Sequence, residues 1–310
     1  MPHDHAGHGH HHHHIDPQAG DTKVALAIAV NLLLTIVQIV GGIFAGSLAL
    51  IADAIHNLSD AVALVIAFAA RKIARRPRDS DMSFGYARAE LIAAFVNFIT
   101  LIVISLYLLW EGAARLFNPA EVEGWIVVWI AGVALLVDVI TALLTFRLSK
   151  ESLNIRAAFL HNVADALSSV AVIVGGVLIL LYDWRLVDPI ITIGIALYIL
   201  WHASRDLRPV VRILMNGAPA GLDMAAVQAD MAAVEGVSGI HHVHLWQMDE
   251  RRSSLEAHVV LAEDQPAAPV LRAIKSLLAT RHAISHSTLE VEREGAGCAV
   301  PEGDHPAHPA

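Results

Sequence analysis

The sequence predicts an α-helical membrane protein, in which a bundle of six transmembrane helices is followed by a small cytoplasmic α+β domain. Hydrophobic residues make up 55% of the 310-residue chain and charged residues only 16%, whereas soluble globular domains carry about 25% charged residues. Six apolar segments approach the roughly 20 residues that a helix needs to span a bilayer. After residue 208 the composition becomes that of a small soluble domain.

The predicted transmembrane domain comprises residues 23–208. Its apolar segments are 24–45, 48–70, 89–110, 125–146, 154–181 and 186–203. The connections at 71–88 and 147–156 are rich in Lys and Arg, whereas the opposite loops contribute only Arg115 and Arg185. Because cytoplasmic loops carry the excess of positive charge, both termini are predicted to lie in the cytoplasm, with a bacterial inner membrane as the simplest host.

The predicted cytoplasmic domain comprises residues 209–294 and follows an αββαβ order, which is a ferredoxin-like arrangement. Its elements are helices near 222–234 and 268–280 and strands near 240–248, 255–261 and 288–291. Val243 and Leu245, like Ala257 and Val259, alternate with polar residues. One face of the sheet is therefore predicted to be buried by the two helices.

The two ends of the chain are predicted to be disordered, as a cytoplasmic tail at residues 1–22 and a second tail at 295–310. The first contains eight histidines between His3 and His14. The run that begins at His10 resembles a purification tag. The interleaved histidines that precede this run favour a native tail that gathers metal ions.

A short motif, His-Asn-x-x-Asp, occurs twice at predicted membrane depth, beginning at His56 and at His161. Ionisable residues at a helix centre there cost about 2.5–3.5 kcal/mol each, so a repeated pair indicates a functional site. Residues four apart share a helix face, which groups His56 with Asp60 and His161 with Asp165. If the second and fifth helices pack together, two imidazoles and two carboxylates meet, and this ligand set suits tetrahedral zinc.

Asp53 precedes His56 by three residues and lies on the same stripe of the second helix. It is a fifth candidate ligand or, alternatively, a residue that orients the ligands. Gln38 and Asp138 are among the other polar residues of the apolar segments, and are predicted to form interhelical hydrogen bonds or to line a hydrated path. Nitrogen and oxygen ligands without a thiolate also admit cobalt, nickel or iron(II), so the ligand types alone leave the ion open.

These motifs resemble those of the cation diffusion facilitator family of metal transporters. The resemblance rests on the two His-Asn-x-x-Asp motifs, on Ser-Phe-Gly-Tyr-Ala-Arg-Ala-Glu at 83–90 and on His-Val-His-Leu-Trp at 242–246, and it covers about residues 23–292. It implies a homodimer of six-helix protomers in the lipid bilayer that exchanges a divalent metal ion for protons. His and Asp on both helices resemble the zinc-preferring branch of the family. The resemblance therefore implies zinc efflux and makes Zn2+ the first choice, with Co2+, Cd2+ and Fe2+ as alternatives.

The sequence departs from the family pattern at two places. Met82 and Tyr86 stand where some relatives have metal-binding histidines in the loop after the second helix, so that loop site is not expected here. In other relatives a basic residue before the third helix pairs with an aspartate at the start of the cytoplasmic domain. Arg88 is present, but the partner position is occupied by Asn216.

Several histidines fall in the predicted cytoplasmic domain, namely His241, His242, His244, His258, His282 and His286. Strand alternation predicts that His242 and His244 lie on one face of their strand and His241 on the other. The simpler interpretation is that these histidines are solvated and have no function.

The resemblance matches part of this group to a regulatory zinc site at the dimer contact. The matching residues are His241, His258 and the strand that holds Glu290 and Glu292, and His286 is a further candidate. The resemblance therefore implies a second metal site, separate from the transport site.

The predicted function is efflux of a divalent metal ion by exchange for protons and alternating access, with no nucleic-acid partner. An intramembrane zinc enzyme is disfavoured, because four protein ligands leave no open position for water. The sequence also lacks a His-Glu-x-x-His motif. A membrane metal sensor or channel, in which the cytoplasmic histidines do the sensing, is the other alternative.

Overall fold

The computed structural model describes residues 32–146 and 153–293. Within these ranges six helices come first: α1 (Leu32–Ala45), α2 (Leu48–Ala74), α3 (Arg88–Phe117), α4 (Gly124–Phe146), α5 (Leu153–Tyr182) and α6 (Val187–Leu214). The following elements are α7 (Met224–Ala232), β1 (Val237–Gln247), β2 (Ser253–Leu261), α8 (Ala267–Arg281) and β3 (His286–Arg293). The predicted tails lie outside the described residues.

The described residues group into two compact units. One contains residues up to Val65 together with Thr100–His202, and the other contains Ile66–Ile99 together with the chain from Ala203 onward. The first unit holds most of the apolar helical segments. The second holds the αββαβ elements and the adjoining ends of three helices.

Four helical stretches among the described residues are long and apolar enough to cross a membrane. They are α3, Gly124–Leu143 of α4, Asn162–Tyr182 of α5, and α6. Leu32–Ala45 and Leu48–Ser59 are shorter apolar helices. Large apolar side chains on these helices are widely exposed, Trp110 to 75%, as expected where a helix faces lipid rather than water.

The start of α2 is fixed by Asp188, a buried residue in the first turn of α6. Its carboxylate accepts hydrogen bonds from the backbone N–H groups of Leu48 at 2.9 Å and Ala49 at 3.2 Å, and from the hydroxyl of Ser47 at 2.5 Å. Free N–H groups at a helix N-terminus favour a carboxylate, because the helix dipole is positive there. Asp188 therefore anchors the helix that carries His56.

The three strands form one sheet in the order β1-β2-β3. β1 and β2 pair antiparallel, whereas β2 and β3 pair parallel and are connected through α8, since parallel neighbours need a crossover. Leu255, Ala257 and Val259 of β2 are fully buried, as alternation predicts, and pack in one core with residues of α7 and α8. The predicted fold class, a helical transmembrane domain followed by a small α+β domain, is confirmed.

Strand β1 departs from regular alternation at its histidines. The pairing register shifts between His241 and His244, and His242 has a left-handed φ of 50°. A bulge of this kind adds one residue to the strand and reverses the side on which the next side chain lies. The His242 ring lies 5.2 Å from that of His241 and 4.9 Å from that of His258. The register also aligns His241 with His258 and His244 with Glu256, which lie on one side of β2. The prediction that His241 lies on the face opposite His242 and His244 is therefore wrong.

Arg88, the basic residue at the start of α3, contacts the neutral amide of Asn216. The chain leaves α6 through Asn216, which has a left-handed φ of 57°, and the N–H of Gly217 donates to the carbonyl of Arg212 at 2.7 Å. Asn tolerates this conformation better than most residues. Its Oδ1 accepts a hydrogen bond from Nη2 of Arg88 at 2.6 Å, and Nε of Arg88 donates to the carbonyl of Met248 at 3.2 Å.

Candidate metal sites

Two of the predicted ligands meet between α2 and α5. The Nε2 atom of His56 lies 3.3 Å from Oδ1 of Asp165. Two ligands that bind one tetrahedral zinc ion at about 2.0–2.2 Å lie roughly 3.4 Å apart, so the observed separation suits a shared ion. The side chains of His56 and Asp165 are 13% and 8% exposed, which shields the pair from solvent.

Asp60 and His161 belong to the same two helices. Their side chains lie outside the described part of the structure. Their role as the third and fourth ligands therefore stays a prediction.

Asp53 is buried, and its carboxylate accepts hydrogen bonds from neutral side chains. The Ser168 hydroxyl donates to Oδ1 at 2.6 Å, and Nε2 of Gln38 donates to Oδ2 at 2.9 Å. The Ser169 hydroxyl makes a longer contact with Oδ2, at 3.4 Å. Since Gln38 lies on α1 and the serines lie on α5, Asp53 ties α2 to both helices.

The same polar network extends to a fourth helix. The Ser169 hydroxyl also lies 3.2 Å from Oδ2 of Asp138 on α4. Nδ2 of Asn57 on α2 donates to Oε1 of Gln38 at 3.4 Å. Gln38 and Asp138 thus make the interhelical hydrogen bonds that their positions in apolar segments predict.

Tyr86, in the loop between α2 and α3, holds a carboxylate. Its hydroxyl donates to Oδ2 of Asp79 at 2.7 Å, and the backbone N–H of Met82 donates to Oδ1 at 2.8 Å. The hydrogen bond from Tyr86 makes the largest contribution to lowering the pKa of Asp79 below its ordinary value, and the one from Met82 adds to it. The hydrogen bond between Tyr86 and Asp79 also raises the pKa of Tyr86. The Tyr86 side chain and the Met82 backbone thus both bind the Asp79 carboxylate within this loop.

A second group of His and Glu residues lies on the sheet of the small domain. Strand pairing aligns His241 with His258, and His258 with Glu290. Oε1 of Glu292 lies 2.7 Å from Nδ1 of His258, and its Oε2 lies 3.2 Å from Nε2 of His241. The ligand atoms of His241, His258 and Glu292 all lie within 4.8 Å of one another. Oε2 of Glu290 is 3.5 Å from Nε2 of His258.

His286 stands apart from this group. It pairs with Ser254, four positions along the strands from the pair of His258 and Glu290, which corresponds to about 13 Å at the rise of a β-strand. Its ring packs against that of Phe84, with centroids 6.2 Å apart. The bulge in β1 instead brings in His242, which the sequence did not predict as a ligand.

Ser168 and Ser169 are further residues that the sequence reasoning missed. Ser168 follows Asp165 by three residues, so it shares a face of α5 with a predicted ligand. That spacing is the signal that could have identified it. Small hydroxyl residues are common in apolar helices, however, and the spacing alone does not name their partners.

Two family models match the chain. The cation efflux transmembrane domain matches residues 24–215, and the cytoplasmic domain of cation efflux proteins matches residues 219–294. The chain belongs to the cation efflux family.

Relatives in the cation efflux family align over most of this chain. Zinc transporter ZitB of Escherichia coli (strain K12) is 36% identical, with 98% of this chain and 97% of the relative covered. The metal cation efflux system protein CzcD of Cupriavidus metallidurans is also 36% identical, over 89% of this chain and 88% of the relative. A cadmium, cobalt and zinc/H(+)-K(+) antiporter of Bacillus velezensis is 32% identical, with 83% of each chain covered.

Membership of the cation efflux family confirms the resemblance that the sequence motifs indicated. The chain is a multi-pass membrane protein for the efflux of divalent metal ions. It is a transporter and not an enzyme.

Proposed function

We propose that this protein exports zinc from the cytoplasm across a bacterial plasma membrane in exchange for protons. The observation that carries the proposal is the 3.3 Å separation between Nε2 of His56 and Oδ1 of Asp165. The two residues come from the two copies of one motif, and their separation suits two ligands of one zinc ion. The relatives named as zinc transporters support the choice of zinc.

The contacts between α2 and α5 support an antiparallel register of these two helices. Asp53 of α2 meets Ser168 of α5. Three residues further along α2, His56 meets Asp165, which lies three residues earlier on α5. Residue numbers therefore rise along one helix as they fall along the other.

The same register supports a set of four ligands. Asp60 follows His56 by four residues on α2, and His161 precedes Asp165 by four residues on α5. One further turn thus brings positions 60 and 161 opposite each other. In our proposal Asp60 and His161 complete the transport site, with both imidazoles and both carboxylates around the ion.

Proton exchange follows from the chemistry of these ligands. A metal ion binds neutral imidazole and ionised carboxylate, so protons and zinc compete for the same lone pairs. The ligands stand on regular helices, so a small shift of α2 against α5 separates them without unfolding either helix. In the proposed cycle zinc binds from the cytoplasm, the site opens to the other side, and incoming protons displace the ion.

The ligand set favours zinc but does not restrict the site to it. Nitrogen and oxygen ligands also bind Co2+, Cd2+ and Fe2+, and selectivity then depends on geometry. A relative named for cadmium, cobalt and zinc supports a similar range here. We propose zinc as the main substrate and these ions as secondary ones.

The group of His241, His258 and Glu292 is proposed as a regulatory zinc site, with Glu290 beside it. Two imidazoles and a carboxylate are suitable zinc ligands. Their ligand atoms lie within 4.8 Å of one another, so small side-chain rotations reach the roughly 3.4 Å expected around one zinc ion. The match of residues 219–294 to the family's cytoplasmic domain supports assembly as a homodimer.

Zinc transport by the purified protein in proteoliposomes tests the proposed function. A dye inside the vesicles reports zinc, and a second dye reports pH. We expect saturable zinc uptake that is accelerated by an opposing proton gradient and that dissipates this gradient. Uptake that ignores the gradient would contradict proton exchange, and a flux that does not saturate would favour the channel alternative. Cobalt, cadmium and manganese in parallel vesicles define the range of substrates.

A further inference from the structure

Asp53 is a carboxylate whose two oxygens are both engaged by neutral donors. The residue is 1% exposed. Oδ1 accepts from Ser168 at 2.6 Å, and Oδ2 accepts from Gln38 at 2.9 Å. A buried carboxylate without such donors would be strongly destabilising. The partners therefore both stabilise Asp53 and fix its orientation towards α1 and α5.

The hydrogen bond between Asp53 and Ser168 is adjacent to the contact between His56 and Asp165. Both join α2 to α5, and they are separated by three residues on each helix. At a rise of 1.5 Å per residue, this places them about 4.5 Å apart along the helix axis. A rotation or slide of α2 against α5 that alters one contact must therefore alter the other.

Two further helices hold the same network. Gln38 of α1 is fully buried and is also bonded to Asn57, one residue after His56. Ser169 of α5 is fully buried and lies 3.2 Å from Asp138 of α4. Hydrogen bonds thus connect α1, α2, α4 and α5 next to the proposed transport site.

We propose that Asp53 is a positioning residue of the transport site: it fixes the rotation of α2 against α5, and with it the distance between His56 and Asp165, without binding the ion. This inference rests on the proposed transport function and extends it by one residue. The distance between ligands determines which ion fits. The network therefore also sets the preference for zinc over the larger cadmium ion.

The test is zinc and cadmium transport by the full-length protein in proteoliposomes, with KM and kcat measured separately. Asp53→Asn, Ser168→Ala and Gln38→Met each remove one partner from the network. We expect each to raise the KM for zinc by about ten-fold or more, as is typical when a residue that orients metal ligands is lost. We expect kcat to change less, and the ratio of kcat/KM for zinc over that for cadmium to fall. Ser168→Thr keeps the hydroxyl and should retain the wild-type KM.

Ser105→Ala is the matched control. Ser105 is a buried serine of α3 whose hydroxyl donates to the Leu101 carbonyl of its own helix, so its loss should leave KM unchanged. The double variant Asp53→Asn/Ser168→Ala should be no worse than the worse single variant, because both act on one hydrogen bond. Size-exclusion chromatography and circular dichroism verify folding. If Asp53→Asn does not fold, Ser168→Ala, which loses one hydroxyl, carries the test.

Three outcomes separate the alternatives. Wild-type KM values in Ser168→Ala and Gln38→Met, with zinc binding abolished in Asp53→Asn, would make Asp53 a ligand and overturn the proposal. Wild-type KM values in all three variants would overturn it as well. If Asp165→Ala transports zinc at the wild-type rate, the transport site itself is wrong, and the proposed function fails independently of Asp53.

Discussion

The two groups of His and carboxylate residues have the same chemistry but stand on different supports. His56 and Asp165 lie on separate helices that meet through side chains. His241 and His258 lie on paired strands, whose backbones are hydrogen-bonded to each other. Helices slide by repacking side chains, whereas paired strands slide only if they break their backbone hydrogen bonds. The helical site is therefore suited to releasing its ion and the sheet site to retaining one.

Exposure separates one residue of the sheet group from the helical pair. The His241 side chain is 35% exposed, whereas His258 and Glu292, at 8% and 12%, are as shielded as His56 and Asp165, at 13% and 8%. A shielded ion needs a complete set of protein ligands, because no water replaces the ones that are missing. A partly exposed group can exchange zinc directly with the solution. The helical pair thus fits transport, and the sheet group fits retention of an ion that enters from the solution beside His241.

The most severe test of this comparison is the removal of a ligand from the helical site. We expect Asp165→Ala to lower zinc transport at least about a hundred-fold, since even residues that only orient ligands are worth 10–100-fold. Zinc binding by the small domain should persist, because that group does not use Asp165. Flux in proteoliposomes and equilibrium dialysis of the same preparation measure the two quantities. Ser105→Ala serves as the control, and appreciable transport by Asp165→Ala would end the assignment of the helical pair as the transport site.

The converse change removes Glu292, which contacts both His241 and His258. We expect Glu292→Ala to weaken zinc binding by the small domain about ten- to hundred-fold, while transport changes at most a few-fold. Isothermal titration in an Asp165→Ala background isolates the binding, and proteoliposome flux measures the transport. Glu256→Ala, an exposed glutamate of β2, is the matched control. A loss of transport as complete as that in Asp165→Ala would show that the two groups do not have separate roles.

The sequence predicted that His56 and Asp165, which the structure brings together, belong to one site, because the signal is local. The His-Asn-x-x-Asp spacing places a His and an Asp on one face of each helix. Ionisable side chains in apolar segments are costly without polar partners, so the two copies are expected to face each other. The sequence leaves open whether Asp53 is a ligand or a residue that orients the ligands. Its partners, Gln38 and Ser168, lie 15 and 115 residues away in the chain, and only tertiary packing decides between a ligand and an orienting residue.

The sheet site was predicted less well, because its geometry depends on strand register. Alternation correctly placed apolar residues such as Ala257 and Val259 in the core. Alternation failed at His242, since a bulge is a non-local feature with no marker in a run of histidines. His286 is a candidate from the sequence because it belongs to the same small domain as Glu290. The extended strand holds the two apart.

A smaller effect is expected from the bulge that distinguishes the sheet site. His242 has a φ of 50°, where β-branched residues are strained by about 1–3 kcal/mol and glycine is not. His242→Val should therefore destabilise the β1–β2 pairing by about 1–2 kcal/mol, whereas His242→Gly should not, and transport should continue in both. Hydrogen exchange of the strand amides in the full-length chain measures this. His244→Val, at an exposed strand position, is the control. Equal hydrogen-exchange rates in His242→Val and His242→Gly would show that the backbone conformation of residue 242 does not affect the stability of the strand pairing.

The smallest expected effect concerns Asp249, in the turn between β1 and β2. Its carboxylate accepts hydrogen bonds from the backbone N–H groups of Arg251 and Arg252 at 2.9 and 2.8 Å, and from Nε of Arg252 at 2.7 Å. Partial burial raises the pKa of Asp249, but these hydrogen bonds outweigh burial and hold the pKa below its ordinary value of 3.8. The turn is therefore stabilised at every pH above that value, and it loses this contribution as the pH falls through the lower, folded-state value.

Because the pKa of Asp249 is lowered, protonation of the metal ligands can be distinguished from acid weakening of the turn. Above about pH 5 the Asp249 contribution is intact, so zinc released from the sheet site at that pH or above reflects protons that compete for its ligands. Asp249→Asn should weaken the turn by less than about 1 kcal/mol, the range of solvent-screened contacts. Its zinc-release curve from about pH 7 to 5 should coincide with that of the wild type. A curve shifted to higher pH would mean that the turn supports the ligands, and metal retention would then depend on more of the sheet than the paired strands.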